Sequence, residues 1–358
     1  MSQNTLDTRY LKNCWYVAAW TDEVGDALFE RTILDTPVLL YRDTQGRVVA
    51  MDNRCAHRTA PLSLGRLEGD NVRCMYHGLV FNPAGECIEI PMQDRIPPGT
   101  TLRTYPVVER SRWIWIWMGD PALADPSLLP DTHWLDDPDW RCLPGYLKHE
   151  AHYLQVADNL CDFSHLSFVH PTTVGGSVDY ARQRPKVERL DNGVRIVRTH
   201  DNSEPAPFVK ALRPEWTRVD RWNYYDFLLH GILLMDSGSV PVGRGGGTGS
   251  REGAVEFRSC QAITPETAHS THYFFAQPHN FSLDDPAVTR SIHEVVIQAF
   301  EEDKRMIGGQ SRMLAFDPEY KMLPIGADAA LAQFRWVLNQ HREREERGDT
   351  TGPLARVA

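Results

Sequence analysis

The chain has 358 residues, 42% of them hydrophobic, which is enough for two domains that each bury a core. Its formal net charge of -10 argues against a nucleic-acid partner or an anionic membrane surface, both of which reward clustered Lys and Arg. No apolar run approaches the ~20 residues of a membrane span, and Met1-Ser2-Gln3-Asn4 opens no secretory signal, so a cytoplasmic location is expected.

Along the chain, short β-rich runs at 37–41, 48–50 and 113–117 alternate with turn signals at Thr44-Gln45-Gly46 and Pro83-Ala84-Gly85. They predict a small antiparallel domain over residues 1–125. The 113–117 run alternates indoles with isoleucines, so both of its faces are expected to be covered. A proline-rich, acidic stretch over 120–138 reads as a surface connection. A longer domain, residues 126–358, then mixes strand-like runs (187–189, 194–199, 254–263, 270–276) with helical ones (155–169, 287–314, 327–347), an α+β pattern. Asp191-Asn192-Gly193 is a hairpin signal. The glycine-rich run 243–249 lacks the strand and helix of a phosphate cradle and reads as a mobile loop.

Two short pairs, Cys55-Ala56-His57 and Cys74-Met75-Tyr76-His77, each offer one sulfur and one nitrogen donor. A Cys2His2 set also satisfies tetrahedral zinc, and a structural zinc site is the alternative. With Arg58, Pro61 and Gly65 behind the first pair and Gly78 behind the second, the spacing points instead to two loop tips clamping a Rieske [2Fe–2S] cluster. Two thiolates then hold one iron and two neutral imidazoles the other, which makes a one-electron relay of raised potential. The segment resembles Rieske domains, although their usual Pro-His-Arg-Gly after the first cysteine has become Ala56-His57-Arg58-Thr59. The remaining cysteines, Cys14, Cys87, Cys142, Cys161 and Cys260, are expected to be buried thiols.

The second constellation runs from Asp158-Asn159 through Asp162 to His165, with His170-Pro171 after it. His165 and His170 could ligate one metal, but a spacing of five is poor for one helix face, and Pro171 disfavours helical geometry at His170. Asn159 and Asp162 step by threes toward His165, so one stripe would carry amide, carboxylate and imidazole. An ordinary amphipathic helix with two capping histidines is the alternative. A one-electron relay needs an acceptor, however, and two histidines with a carboxylate form the facial triad of non-haem Fe(II) oxygenases. With 48 acidic residues in the chain, spacing alone does not select the third ligand.

The order Asp-Asn-Leu-x-Asp-x-x-His-x-x-x-x-His, with Phe300-Glu301-Glu302-Asp303-Lys304 far downstream, resembles the catalytic domain of Rieske non-haem iron oxygenases. The likeness is nearest the vanillate and dicamba O-demethylases and covers nearly the whole chain. It implies a helix-grip-type catalytic domain, an antiparallel sheet with helices, after the Rieske domain. It also implies a mononuclear Fe(II) held by His165, His170 and Asp303, with Glu301 and Glu302 as competing carboxylates. By the same resemblance Asp162 bridges His165 to the cluster ligand His77 of a neighbouring subunit in a homotrimer, and Asn159 positions water or dioxygen. Gly308-Gly309 replace the family's usual helix formers and, at ~2 kcal/mol for the pair, weigh against continuation of that helix.

Such an enzyme places one oxygen atom of O2 in the substrate and reduces the other to water. No nicotinamide or flavin motif is evident, so electrons are expected from a separate NADH-dependent flavin and iron–sulfur reductase. The expected reaction is hydroxylation or O-demethylation of an aromatic acid such as a methoxybenzoate. Ring dihydroxylation, or attack on a methyl- or sulfonate-substituted aromatic, is the alternative; a non-enzymatic electron carrier or zinc-structured binding protein would leave His165, His170 and Asp303 without a role. Trp222, Tyr224, Tyr225, Phe227 and Phe274 are candidates for an aromatic pocket, although strand aromatics are more often core. Arg221, His230 and Arg244 are candidates for holding a carboxylate.

Overall fold

The computed structural model describes residues 9–175, 181–229 and 231–349, which form two compact units. One comprises Lys12–Leu129 with Thr264–Thr267; the other comprises residues 9–11, Pro130–Ile263 and residues 268–349. Both are built on antiparallel sheets with few helices, so the class is α+β.

The first unit is made of β1 (Trp15–Trp20), β2 (Phe29–Ile33), β3 (Thr36–Arg42), β4 (Val48–Asp52), β5 (Arg66–Glu68), β6 (Asn71–Arg73), β7 (Val80–Phe81), β8 (Cys87–Glu89), β9 (Val107–Arg110) and β10 (Trp113–Trp117). They form three sheets, ordered β1-β10-β9, β2-β3-β4 and β5-β6-β7-β8. No residue of β10 is more than 1% exposed, so indole and isoleucine faces are both covered, as the alternation predicts. Register places Trp15 opposite Trp117 and Trp20 opposite Trp113, with ring centroids 5.4 and 5.5 Å apart. The β2–β3 hairpin turns through Leu34 and Asp35 at φ +51° and +59°, a left-handed turn made without glycine. Their N–H groups donate to the Pro265 and Glu266 carbonyls, which ties Thr264–Thr267 to this unit.

The second unit adds β11 (Gly145–His149), β12 (Lys186–Leu190), β13 (Gly193–Ser203), β14 (Val219–Leu228), β15 (Ile232–Pro241), β16 (Val255–Thr267) and β17 (Ser270–Ala276). They form one sheet ordered β11-β17-β16-β15-β14-β13-β12, and Asp191-Asn192-Gly193 turns β12 into β13 as its signal predicts. Alternation fixes which side meets the helices. Phe227 packs on Phe334 of the helix Ala329–Glu346 at 4.7 Å, and Tyr273 and Phe275 pack on Phe300 of the long helix Pro286–Phe316 at 5.1 and 4.8 Å. Trp222, Tyr225, Phe227 and Phe274 are at most 2% exposed and belong to the core.

Three expectations are corrected. The helix read over 155–169 is broken: a helix Tyr153–Cys161 stops at Asp162 (φ -130°, ψ 106°), a single turn Phe163–His165 follows, and a short helix Leu166–Val169 ends at His170. The break has a local cause, because the Asp162 carboxylate accepts the Ser164 N–H at 2.8 Å and competes with the helical ladder. The long helix, by contrast, runs through Gly308-Gly309; its buried stripe of Ile292, Val296, Ala299, Asp303 and Ile307 supplies packing that outweighs the propensity cost. The glycine-rich run is tied down rather than loose: the N–H groups of Gly243 and Gly245 donate to the Asp220 carboxylate at 2.8 and 3.1 Å. It cradles an anion, but the chain's own.

Candidate functional site

In the first unit the four sequence-selected cluster residues come together from two loops. Cys55 and His57 follow β4, and Cys74 and His77 connect β6 to β7. The loops are closed in the same way: the Cys55 carbonyl accepts the Thr59 N–H (3.0 Å) and the Cys55 N–H donates to Ala60 (2.9 Å), while Cys74 does likewise with Gly78 (2.9 Å) and Leu79 (2.8 Å). The residue four past each cysteine is left-handed, φ +54° at Thr59 and +78° at Gly78. At Gly78 glycine meets that demand; at Thr59 a β-branched residue does.

Both thiols are at most 2% exposed and sit in a core with Leu39, Met51, Leu62 and Phe81, whereas His57 and His77 are exposed with ring centroids 4.5 Å apart. Burial pushes the Cys55 thiol up to about 11, the adjacent Cys74 thiol adding to the rise while the His57 N–H opposes it. His77 is held below the usual imidazole range by desolvation and by His57 and Arg58, which keeps it a neutral donor. Two adjacent thiols and two facing imidazoles match the donor set of a Rieske cluster. All seven cysteines are free; Cys142 is partly exposed and the others are buried.

In the second unit His165, His170 and Asp303 offer ligand atoms within 4.8 Å of one another. Asp303 Oδ1 lies 3.1 Å from His170 Nε2 and 3.4 Å from His165 Nε2. The broken helix makes this possible: an unbroken one would separate histidines five residues apart, but the turn at Asp162 and the helix end at His170 redirect both rings. Asn159 lies beside them, its Nδ2 donating to Asp303 Oδ1 at 2.9 Å. The donor atoms fit a divalent iron with open positions, and His165 is the most accessible of the three, with 20% of its side chain exposed.

The carboxylates that compete with Asp303 sort themselves. Glu301 faces Lys304 at 3.7 Å on the outer side of the helix. Glu302 accepts from His170 Nδ1 at 2.8 Å and from the Thr173 hydroxyl at 3.1 Å, so consecutive residues grip opposite nitrogens of one imidazole. Burial by itself would lower the His170 pKa, but the Asp303 and Glu302 carboxylates outweigh it and hold it above the ordinary value. His165 is kept low, chiefly by burial. Asp162 contacts His165 through its backbone carbonyl, which accepts from Nδ1 at 2.5 Å; its carboxylate is bonded to Ser164 and lies 3.8 Å from Arg198.

His149 is a further buried histidine of this unit. This histidine ends β11, is 1% exposed against Tyr273, and neither ring nitrogen has a hydrogen-bond partner. Burial lowers its pKa to about 4, against the opposing pull of Asp303. No spacing signal marks it, because its neighbour Asp303 arrives from the distant long helix. Arg221 is buried, whereas Arg244 is on the exposed turn and donates to the Glu252 carbonyl at 3.0 Å. His230 lies outside the described residues.

Residues 14–106 match the model of the Rieske [2Fe-2S] domain, and residues 149–344 match that of the vanillate O-demethylase oxygenase C-terminal domain. The chain is 49% identical to TsaM1, the iron-sulfur subunit of the toluene-4-sulfonate monooxygenase system of Comamonas testosteroni, over 95% of this chain and 99% of that one. It is 36% identical to the oxygenase component of dicamba O-demethylase of Stenotrophomonas maltophilia, over 86% of this chain and 90% of that one. A crystal structure of dicamba monooxygenase with non-heme iron and dicamba superposes with a TM-score of 0.81 at 31% identity, covering 95% of this chain and 99% of that one. The chain therefore belongs to the Rieske non-haem iron oxygenases, in the vanillate O-demethylase family of oxygenase components. It is an oxidoreductase with a Rieske [2Fe–2S] domain, and no helix among its described residues is long and apolar enough to cross a membrane.

Proposed function

We propose that this chain is the terminal oxygenase of a cytoplasmic multicomponent system that hydroxylates or O-demethylates an aromatic acid with O2. The observation that carries the reading is the convergence of His165, His170 and Asp303 from a broken helix and a distant one onto a single point. Iron bound there would supply dioxygen activation at open coordination positions, and the Rieske cluster would supply an electron. The chain's own residues do the rest. Cys55, His57, Cys74 and His77 hold the cluster, while Glu302 orients His170 and Asn159 holds the Asp303 oxygen. Phe163, stacked on Tyr225 at 4.3 Å, sets an aromatic ring edge-on to His165 at 6.4 Å. Electrons come from a flavin and iron–sulfur, NADH-dependent reductase.

The working unit is a homotrimer in which Asp162 carries the electron path from the His77 of a neighbouring subunit. Two features support it: the exposed apolar side chains Leu64, Met75, Tyr76 and Met92 in the unit that bears His77, and Phe168, Met306, Met313 and Phe316 in the unit that bears the iron site. A second reading, oxidation of an aryl methyl group beside a sulfonate, is favoured by the 49% identity to the toluene-4-sulfonate enzyme against 36% to the dicamba demethylase.

Anaerobic purification followed by metal and sulfide assays and low-temperature EPR tests the reading. About three irons and two labile sulfides per chain, with a Rieske signal after dithionite reduction, are expected. Turnover of methoxybenzoates and of 4-methylbenzenesulfonate with a reductase then separates release of formaldehyde from formation of a benzylic alcohol. Zinc with no reducible chromophore would overturn the oxygenase reading.

A further inference from the structure

The helix-facing side of the second unit's sheet segregates charge in a way the metal site does not require. Alternation sends Asp220, Asp226 and Asp236 of β14 and β15 to the opposite side. There they bind the Gly243 and Gly245 N–H groups, Arg195, and Arg251 with Arg258. On the helix-facing side of β13 to β16 the basic side chains are Arg198, His200 and Arg221, each at most 7% exposed. Arg198 faces the Asp162 carboxylate. His200 is neutral, its pKa lowered to about 4 by burial and by the flanking Arg221 and Arg198.

Arg221 is set among polar side chains and close to the metal-site loop. It pairs in register with His200 on one side and Ser239 on the other, and the next pair along the same face is Asn223 with Ser237; all four neighbours are buried. Its Nη2 donates to the Val174 carbonyl at 3.4 Å, in the turn whose Thr173 and Gly175 N–H groups close on the His170 carbonyl. Farther along β14, about 14 Å from Arg221 at 3.4 Å per residue, Tyr225 stacks on Phe163, two residues before His165. A guanidinium stays charged at any working pH, and its fork of donors matches an oxyanion.

We propose that Arg221, with Asn223, Ser237 and Ser239 beside it, recognises the anionic group of the substrate, a carboxylate or sulfonate on an aromatic ring, and so directs the reacting substituent toward His165, His170 and Asp303. The proposal rests on the aromatic-acid reading above and names the residue that selects the acid. Arg221 is a specificity residue, which binds substrate without touching the reacting atoms.

Isothermal titration of the iron-loaded full chain tests it, with 4-methylbenzenesulfonate, 4-methylbenzoate and neutral 4-methylbenzamide as probes. Arg221→Gln should weaken both anions about 10–100-fold and leave the amide unchanged, the loss expected of a charge-assisted bond. Arg221→Lys keeps the charge without the fork and should lose about tenfold, while Arg244→Gln should bind like wild type. The tighter of the two anions on wild type identifies the native group. Wild-type anion affinity in Arg221→Gln, or equal losses of anion and amide, overturns the proposal alone. Should Arg221→Gln not fold, undiminished anion binding by Arg221→Lys has the same force. A wild-type chain that binds none of the three probes overturns the aromatic-acid reading and the proposal with it.

Discussion

Replacing Glu302 by glutamine removes one negative charge from behind the metal site and leaves His165, His170 and Asp303 in place. Glu302 accepts from His170 Nδ1 at 2.8 Å, and its oxygens are fixed by the Thr173 hydroxyl at 3.1 Å and the Gln298 amide at 3.3 Å. That hold aims Nε2 at the point where Asp303 also converges. A charged acceptor makes a bond about twice as strong as a neutral one, and loss of such a partner to a ligating histidine costs about 10–100-fold in metal affinity. The expected change is therefore about 1.4–2.7 kcal/mol in binding, with global stability altered by no more than about 1 kcal/mol because the replacement is nearly isosteric. Competition of Fe(II) or Co(II) against a chromophoric chelator under argon measures it, and the visible spectrum of the Rieske cluster serves as internal control. Glu301→Gln should change nothing, since Glu301 is exposed and faces Lys304. A Glu302→Gln affinity within twofold of wild type, or a loss of cluster absorbance in parallel with iron, would show that Glu302 does not hold His170 for the metal.

Two further outcomes follow from the backbone and from buried imidazoles. Thr59 holds φ +54° where the matching position of the other cluster loop is Gly78, so Thr59→Gly should relieve a left-handed strain of about 1–2 kcal/mol, less about 0.5–1 for glycine's unfolded freedom. A urea midpoint below wild type would contradict this. His149 is depressed from 6.5 to about 4, so between those values the unfolded chain binds a proton that the folded chain refuses. Stability is therefore flat above about pH 6.5 and falls as pH drops toward 4, by about 2 kcal/mol from this group at pH 5. Urea unfolding at the two ends of that window, compared with His149→Gln, checks it; equal pH slopes for both proteins would remove His149 from the account.

The proposed cluster site is legible in the sequence because its chemistry is local. Each cysteine–histidine pair lies within one loop, and the sequence places donors, turn formers and glycine together. The long helix was legible as well, and so in retrospect was which of its carboxylates is buried. Asp303 alone of the three continues the buried stripe Ile292, Val296, Ala299 and Ile307, a periodicity readable from sequence that sets it apart from Glu301 and Glu302. What misled was treating 155–169 as one helix, since periodicity registers apolar spacing and not the side-chain cap by which Asp162 interrupts the ladder.

Residue order by itself determined the donor types, the two-domain plan and the hairpin of β12 and β13, because each depends on neighbours within a few residues. Long-range packing brings Asp303 to two histidines more than a hundred residues earlier, sets Glu302 behind one of them, and buries Arg221 on the side of the sheet that faces the helices. Those contacts join distant segments, and their geometry is set by strand register and helix packing, which no local spacing encodes.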